Sequence, residues 1–129
     1  MTLTGTQLHT LLEQQFAGCN RGFPDGRLNG QTTTRLLQVS AAFEYAWSAT
    51  GANCAHVAFA SIRLQGRPIE PNGTYRVTVN SFLANGGDDF VVLRNGSERV
   101  AGVLDLAALE AWLSLQHGDE GVARITRNR

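Results

Sequence analysis

The chain has 129 residues, of which 43% are hydrophobic and 17% charged, a composition typical of a globular domain with one core. Lys and Arg together number 11, as do Asp and Glu, so the formal net charge is zero. A nucleic-acid-binding surface needs a basic surplus, which argues against nucleic acid as a partner. No apolar run approaches the length of a membrane span.

The first predicted element is a helix. Thr4 followed by Gln7 has the spacing of a capping box, and apolar residues recur at helical intervals from Leu8 to Phe16. Gly18 is a typical stop signal. Residues 20–34 are polar and rich in glycine, which predicts a long surface loop.

Three strands are predicted next. Apolar residues alternate over 37–47, a second strand covers 56–65 before a turn at Gly66-Arg67-Pro68, and a third covers 75–79.

A second helix begins with Asp105 as its cap and ends at His117-Gly118. A short final strand covers 122–126. These elements predict an α+β fold: a single domain with a twisted mixed sheet of about four to five strands and helices packed on it.

The segment after the third strand has the composition of a small-molecule site. Gly86 and Gly87 allow positive φ angles and close approach of a ligand. Asp88 accepts hydrogen bonds only, which suits hydroxyl or amino donors. Phe82 offers a flat face for a planar ring.

Five segments in sequence resemble the C-terminal domain of the 5′-nucleotidase family, which includes UDP-sugar hydrolases and 2′,3′-cyclic nucleotide phosphodiesterases. These segments are Leu3 to Phe16, Leu36 to Ser40, Leu64 to Ile69, Tyr75 to Phe90 and Gly121 to Ile125. Their order matches that of the family and they extend over nearly the whole chain.

The resemblance implies that residues 1–129 are a substrate-recognition domain, lacking its first strand. The catalytic metallophosphoesterase domain would be a separate N-terminal domain that is absent from this chain. That domain would hold two divalent metal ions, whereas no cofactor is expected in this one. The parent would hydrolyse nucleotides to nucleosides outside the cytoplasm, as a periplasmic, secreted or cell-wall-associated protein, and this chain alone would not be catalytic. The alternative is a non-catalytic scaffold or adhesion module with a vestigial pocket.

The resemblance also assigns roles to residues. Phe82 would stack on the nucleobase and Asp88 would hydrogen-bond the nucleoside. Ser40 would lie beside the base. Apart from the resemblance, Asn80 and Asn85 flank the same loop, where both could cap turns or donate to a base edge, and structural roles are expected for both.

The family places a second base-stacking ring in a window that reads Arg35-Leu36-Leu37-Gln38-Val39 here, without an aromatic residue. The sandwich would therefore be one-sided, or another ring would replace the missing one. Phe23, Phe43 and Phe90 are the candidates for that ring.

The cysteines and histidines have simpler interpretations. Cys19 and Cys54 are either two small buried hydrophobic residues or one disulfide, which the exported members of the family would tolerate. His9, His56 and His117 lack the spacing of metal ligands and are predicted to be packing or surface residues.

All eleven basic residues are arginines, which grip phosphate in a bidentate manner. Some family members use arginines of this domain against substrate phosphates. Arg21, Arg27 and Arg35 are the candidates here.

Overall fold

The computed structural model describes residues 1–16, 18–19, 34–50, 54–102 and 105–115. The chain divides into two compact units, Met1–Arg99 and Val100–Arg129. The first unit contains, in chain order, β1 (Thr2–Thr4), α1 (Gly5–Glu13), β2 (Phe43–Glu44), β3 (Arg63–Leu64), β4 (Arg67–Pro68), β5 (Thr74–Arg76) and α2 (Ser81–Ala84). Three 3₁₀ turns cover Phe59–Ser61, Gly87–Asp89 and Val91–Asn95. The second unit contains α3 (Asp105–Leu115).

Helix α1 begins at the predicted capping box. The Gln7 amide donates to Thr4 Oγ1 at 3.1 Å, and the Thr4 amide donates to Gln7 Oε1 at 2.8 Å. These bonds satisfy two main-chain donors that a helix start leaves open. The helix ends at Glu13, before the predicted stop at Gly18, and the chain turns through Phe16 instead.

The core of the first unit forms around the apolar face of α1. Leu8, Leu11 and Leu12 are buried, as the helical spacing predicted. They belong to one cluster with Leu3, Phe16, Val57, Ile62, Ile69, Phe90, Val92 and Leu93. The turn Val91–Asn95 adds apolar side chains to this core from a segment for which no element was predicted.

The α+β class is confirmed, and the described strands form two antiparallel sheets. Strand β1 pairs with β5, with Leu3 opposite Tyr75. Strands β2, β3 and β4 form the second sheet, with Phe43 opposite Leu64. In the part of the chain that the structure describes, these two sheets take the place of one continuous mixed sheet.

The strand predicted over 37–47 is much shorter in the structure. Only Phe43–Glu44 is a strand, and Trp47 forms an isolated bridge with Val57. Leu37 donates its amide to Gln15 Oε1 at 2.6 Å instead of to a neighbouring strand. A side chain from the turn after α1 thus replaces the strand partner, and the extended segment before β2 lies outside the sheet.

The other two predicted strands are also partly confirmed. Of the strand predicted over 56–65, only Arg63–Leu64 is a strand, β3. The turn after it lies at Gln65-Gly66, and both of these residues have positive φ angles. Strand β5 covers the start of 75–79. The predicted alternation continues beyond it, because Tyr75, Val77 and Val79 all pack partly buried against the core.

Helix α3 confirms the predicted helix at Asp105. Leu106, Leu109 and Leu115 are exposed, and Trp112 and Leu113 are partly buried. The predicted loop at 20–34, except for its last residue, lies outside the described residues, as do the helix end at His117-Gly118 and the strand over 122–126. Among the helices described, none is long and apolar enough to cross a membrane.

Candidate functional site

The candidate site begins with a short helix that sequence reasoning missed. Helix α2 covers Ser81–Ala84, and Asn80 caps it, because Asn80 Oδ1 accepts the Leu83 amide at 2.8 Å. Asparagine is a preferred N-cap residue, so Asn80 at the end of the predicted strand is the signal that could have revealed this helix. Asn80 therefore has a structural role, and α2 sets the direction in which Phe82 points.

The Phe82 ring lies against the backbone of Gly87. A Cβ atom built on Gly87 would come within 2.6 Å of Phe82 Cε1, Cζ and the carbonyl oxygen. Glycine at this position therefore permits the contact. Phe82 nevertheless remains 59% exposed, so the ring is supported by the turn and open to solvent.

Asp88 is held by an ion pair and not by the main chain around it. Arg35 Nη1 donates to Asp88 Oδ1 at 2.5 Å, and both side chains are more than two-fifths exposed. Asp88 and Asp89 have φ angles of 51° and 67°, in the left-handed region that glycine prefers. The acid of the glycine turn is thus presented to solvent with a guanidinium beside it.

Arg35 is positioned by Gln15, a buried residue in the turn after α1. Its amide donates to the Gln15 carbonyl at 2.8 Å. The Gln15 side chain is fully buried and bonds the Leu37 amide and the Tyr45 hydroxyl. Of the three arginines predicted to face substrate, Arg35 is the one among the described residues, and it lies at the candidate site.

Asn85 is bonded by two other arginines. Arg94 Nε donates to the Asn85 carbonyl at 2.9 Å, and Arg99 Nη2 donates to Asn85 Oδ1 at 3.2 Å. Next to Asn85, Gly86 has a φ of 86°, and a Cβ there would lie 2.6 Å from Arg94 Nε. Gly86 therefore provides both a left-handed turn and room for the Arg94 guanidinium.

A cleft of about 510 Å³ lies beside this loop, and it contains Ser40 but not the rest of the predicted site. It is lined mostly by apolar side chains from α1, from the segment before β2 and from the end of β5, together with Leu83. Ser40 is exposed, and its carbonyl accepts the Phe43 amide at 3.0 Å. The structure thus groups Phe82, Asn85, Gly86, Gly87 and Asp88 in one turn and places Ser40 in a different feature.

The candidates for a second stacking ring are not equivalent. Phe90 is 2% exposed and belongs to the core, so it offers no face to a ligand. Phe43 is partly buried and lines the apolar cleft. Phe23 lies outside the described residues. Leu36 and Val39, in the window that lacks an aromatic, are exposed.

The described histidines have packing roles. His9 Nε2 lies 2.8 Å from the Val57 carbonyl, and the His56 ring stacks on Phe16 with centroids 4.2 Å apart. Within the described ranges, no three His, Cys, Asp or Glu side chains are grouped so that they could hold a metal ion.

Cys19 and Cys54 form a disulfide, which confirms the second of the two interpretations. Their Cα atoms are 5.3 Å apart, and 35 positions separate them in sequence. The bond connects the segment after α1 to the segment before the Val57 bridge.

The fold and the turn together describe a small α+β domain with an exposed aromatic–carboxylate turn. The model of the family described as "5′-nucleotidase, C-terminal domain" matches residues 1–95, and the chain belongs to this family. An apyrase from Tabanus yao is 35% identical over 103 residues, covering 74% of this chain and 17% of the apyrase. The predicted resemblance is confirmed, and the chain is a domain of a nucleotidase-like protein, in a family of hydrolases. It spans only that 17% of its relative's length.

Proposed function

We propose that the turn formed by residues 82–88 binds the nucleoside part of a nucleotide for a 5′-nucleotidase-type hydrolase. Phe82 stacks on the base, and Asp88 accepts hydrogen bonds from the sugar or the base. The observation that carries this proposal is the exposure of Phe82, because burying a phenylalanine ring is normally favourable. A ring that is supported on one side by Gly87 and open on the other suits a planar ligand.

The setting of Asp88 supports the same role. A carboxylate occupied by nearby main-chain amides would be a purely structural turn residue. Asp88 instead pairs with Arg35, which is 53 positions away and exposed. An exposed ion pair contributes only about 0–1 kcal/mol to stability, so a ligand can displace or share it at small cost.

We further propose that the domain acts within a longer polypeptide. A separate N-terminal metallophosphoesterase domain would hold two divalent ions and cleave the phosphate ester, while this domain would position the substrate. The family membership and the chain's 17% share of the apyrase support this arrangement. The disulfide supports an extracytoplasmic location, since disulfides persist in oxidising compartments.

Ligand titration tests the nucleoside site. Adenosine, AMP and UMP are added to the 129-residue chain while the amide resonances of Gly86 and Gly87 are followed by NMR. We expect saturable shifts, and Phe82→Ala to weaken binding by roughly 2- to 12-fold, the equivalent of about 0.5–1.5 kcal/mol of ring stacking. Phe82→Leu is the matched control, because it keeps apolar bulk without the ring. It should weaken binding nearly as much if stacking is the cause.

Two outcomes would contradict the proposal. No shift at millimolar ligand would favour the alternative, a scaffold or adhesion module whose pocket is vestigial. The absence of an aromatic residue from 35–39 is the feature that favours that alternative. Nucleotide hydrolysis by the purified chain with added Mg²⁺ or Mn²⁺ would contradict the assignment of catalysis to another domain.

A further inference from the structure

Two copies of one tripeptide pattern lie on the surface of the first unit. Asn72-Gly73-Thr74 and Asn95-Gly96-Ser97 both read Asn-x-Ser/Thr, with a residue other than proline in the middle. This pattern is the acceptor signal for asparagine-linked glycosylation. Because Asn-Gly pairs are also common in plain turns, the surroundings of each copy decide what it can do.

Asn72 lies in the turn between β4 and β5. The Gly73 amide donates to the Glu70 carbonyl at 3.0 Å, and the Glu70 amide donates to the Tyr75 hydroxyl at 2.8 Å. A Cβ atom on Gly73 would lie 2.6 Å from that hydroxyl, so the middle residue of the pattern packs against the protein. Asn72 and Thr74, on either side of it, are exposed.

Asn95 ends the last of the three 3₁₀ turns and has the same kind of surroundings. A Cβ atom on Gly96 would collide with the Met1 side chain, so the middle residue again packs against the protein. Ser97 exchanges two main-chain hydrogen bonds with Thr2, at 2.7 and 3.0 Å, which fixes the backbone of the pattern. Asn95 and Ser97 are exposed.

The polar side chains of both patterns have no structural task in the described part of the chain. Within those ranges no hydrogen bond is made by the side chains of the amide and hydroxyl residues, Asn72, Thr74, Asn95 and Ser97. Asparagine is usually favoured in turns because its side chain bonds the nearby main chain, as Asn80 does at the start of α2. That reason for an asparagine is missing at positions 72 and 95, and both amide groups face solvent.

We propose that Asn72 and Asn95 are sites of asparagine-linked glycosylation. The side-chain amide nitrogen forms a bond to C1 of the first sugar of a lipid-linked oligosaccharide diphosphate. The bond from C1 to the diphosphate breaks, the lipid diphosphate leaves, and the amide nitrogen loses one proton. This transfer belongs to the secretory pathway, where the Cys19–Cys54 disulfide would also form. The inference rests on the proposed extracytoplasmic location and is independent of the nucleoside site.

Both acceptors lie beside the first turn of α1. The Gly5 amide donates to the Gly73 carbonyl at 3.0 Å, and Gln7 Nε2 donates to the Asn95 carbonyl at 3.4 Å. Glycans are bulky and hydrophilic, so two of them would keep this end of the first unit in solvent. A protein partner, including the proposed catalytic domain, would then pack on another surface.

Peptide mass spectrometry of the parent protein, purified from its own cells, tests both sites. Peptide N-glycosidase F releases a glycan and converts its asparagine to aspartate, and digestion in water labelled with heavy oxygen marks the aspartate formed in this way. We expect labelled aspartate at positions 72 and 95. Asn85-Gly86 is the matched control, because it is an exposed Asn-Gly pair without a hydroxyl residue at the third position. It should acquire no more label with the enzyme than without it.

Variants separate the acceptor signal from any role of the asparagines in folding. The 129-residue chain is secreted from eukaryotic cells and its mass is measured. Thr74→Ala and Ser97→Ala should each remove one glycan although the asparagine remains, whereas Thr74→Ser should keep it, because the hydroxyl group is retained. Urea denaturation after removal of the glycans verifies that all three variants are folded.

The outcomes separate this inference from the proposed function. Unmodified asparagine at both positions of the parent protein overturns the inference, and modification at one position overturns it for the other. Glycans that persist in Thr74→Ala and Ser97→Ala overturn the assignment to these two patterns. If the parent protein carries both glycans while the chain fails to bind adenosine, the nucleoside site fails and the glycosylation sites are confirmed.

Discussion

At the scale of single residues, two phenylalanines of one motif have opposite environments. Phe82 is exposed and Phe90 is in the core, although only eight positions separate them. Their chemistry is identical, so the sequence could not show which ring faces outward. The short helix α2 and the left-handed turn after it decide the directions, and both depend on local bonds such as the Asn80 cap.

Gly87→Ala should damage the site through a purely steric effect. The new Cβ would lie 2.6 Å from the Phe82 ring and from its carbonyl oxygen, and a carbonyl cannot swing away as a flexible side chain can. We expect a loss of about 1–3 kcal/mol of unfolding free energy, as in overpacked sites, together with weaker nucleoside binding. Urea denaturation measures the first effect and NMR titration the second.

Gly102→Ala is the control for that prediction, because no atom of the described residues lies within 4 Å of a Cβ at Gly102. It should change stability by no more than roughly 1 kcal/mol. If the two variants were equally stable and Gly87→Ala still bound adenosine normally, the close contact of Phe82 with Gly87 would be unimportant.

At the scale of secondary structure, the signals for a helix predicted its position better than alternation predicted the length of a strand. The capping box and the helical spacing of leucines lie within α1 itself, and both were confirmed. A strand needs a partner that is distant in sequence, and the partner of Leu37 is the side chain of Gln15. Alternation over 37–47 therefore predicted extended chain correctly but overestimated the length of the strand.

The contact of Arg35 with Asp88 illustrates the same limit. The motif identified Asp88 as a candidate, and Arg35 was one of three arginines considered for phosphate. Nothing in the sequence indicated that these two would meet, because the bond spans 53 positions. It forms since Gln15 fixes the backbone at both Arg35 and Leu37.

Glu13 should be the most sensitive polar residue of α1. Its side chain is 10% exposed and accepts the amides of His56 at 3.0 Å and Val57 at 2.6 Å. Glu13→Ala leaves these two amides without an acceptor, and we expect a loss of about 2–4 kcal/mol of unfolding free energy. Glu44→Ala, at an exposed position on β2, should cost under about 0.5 kcal/mol.

Urea denaturation of the two variants, followed by circular dichroism, makes this comparison. Equal midpoints for Glu13→Ala and Glu44→Ala would show that water replaces the carboxylate without cost. The attachment of α1 to the Val57 segment would then depend on apolar packing alone.

At the scale of the whole chain, one covalent bond joins distant parts of the first unit. The disulfide Cys19–Cys54 closes a loop with 35 positions between its ends. Loop-closure entropy predicts a contribution of about 3–4 kcal/mol to stability for a loop of this size. The double variant Cys19→Ser with Cys54→Ser should lose that amount, and dithiothreitol should destabilise the original chain but not the variant.

Thermal denaturation with and without the reductant measures this contribution. If dithiothreitol destabilised the original chain and the double variant equally, the reductant would be acting on something other than the disulfide. If both were insensitive and equally stable, the two sulfur atoms would contribute only as small buried groups.

Arg35 lies inside the covalent ring closed by Cys19 and Cys54, whereas Asp88 lies outside it. Opening the ring would give the guanidinium more freedom without altering any atom of the acid that it holds. Reduction of the two sulfurs would therefore weaken a contact of a carboxylate that is well removed from them along the polypeptide.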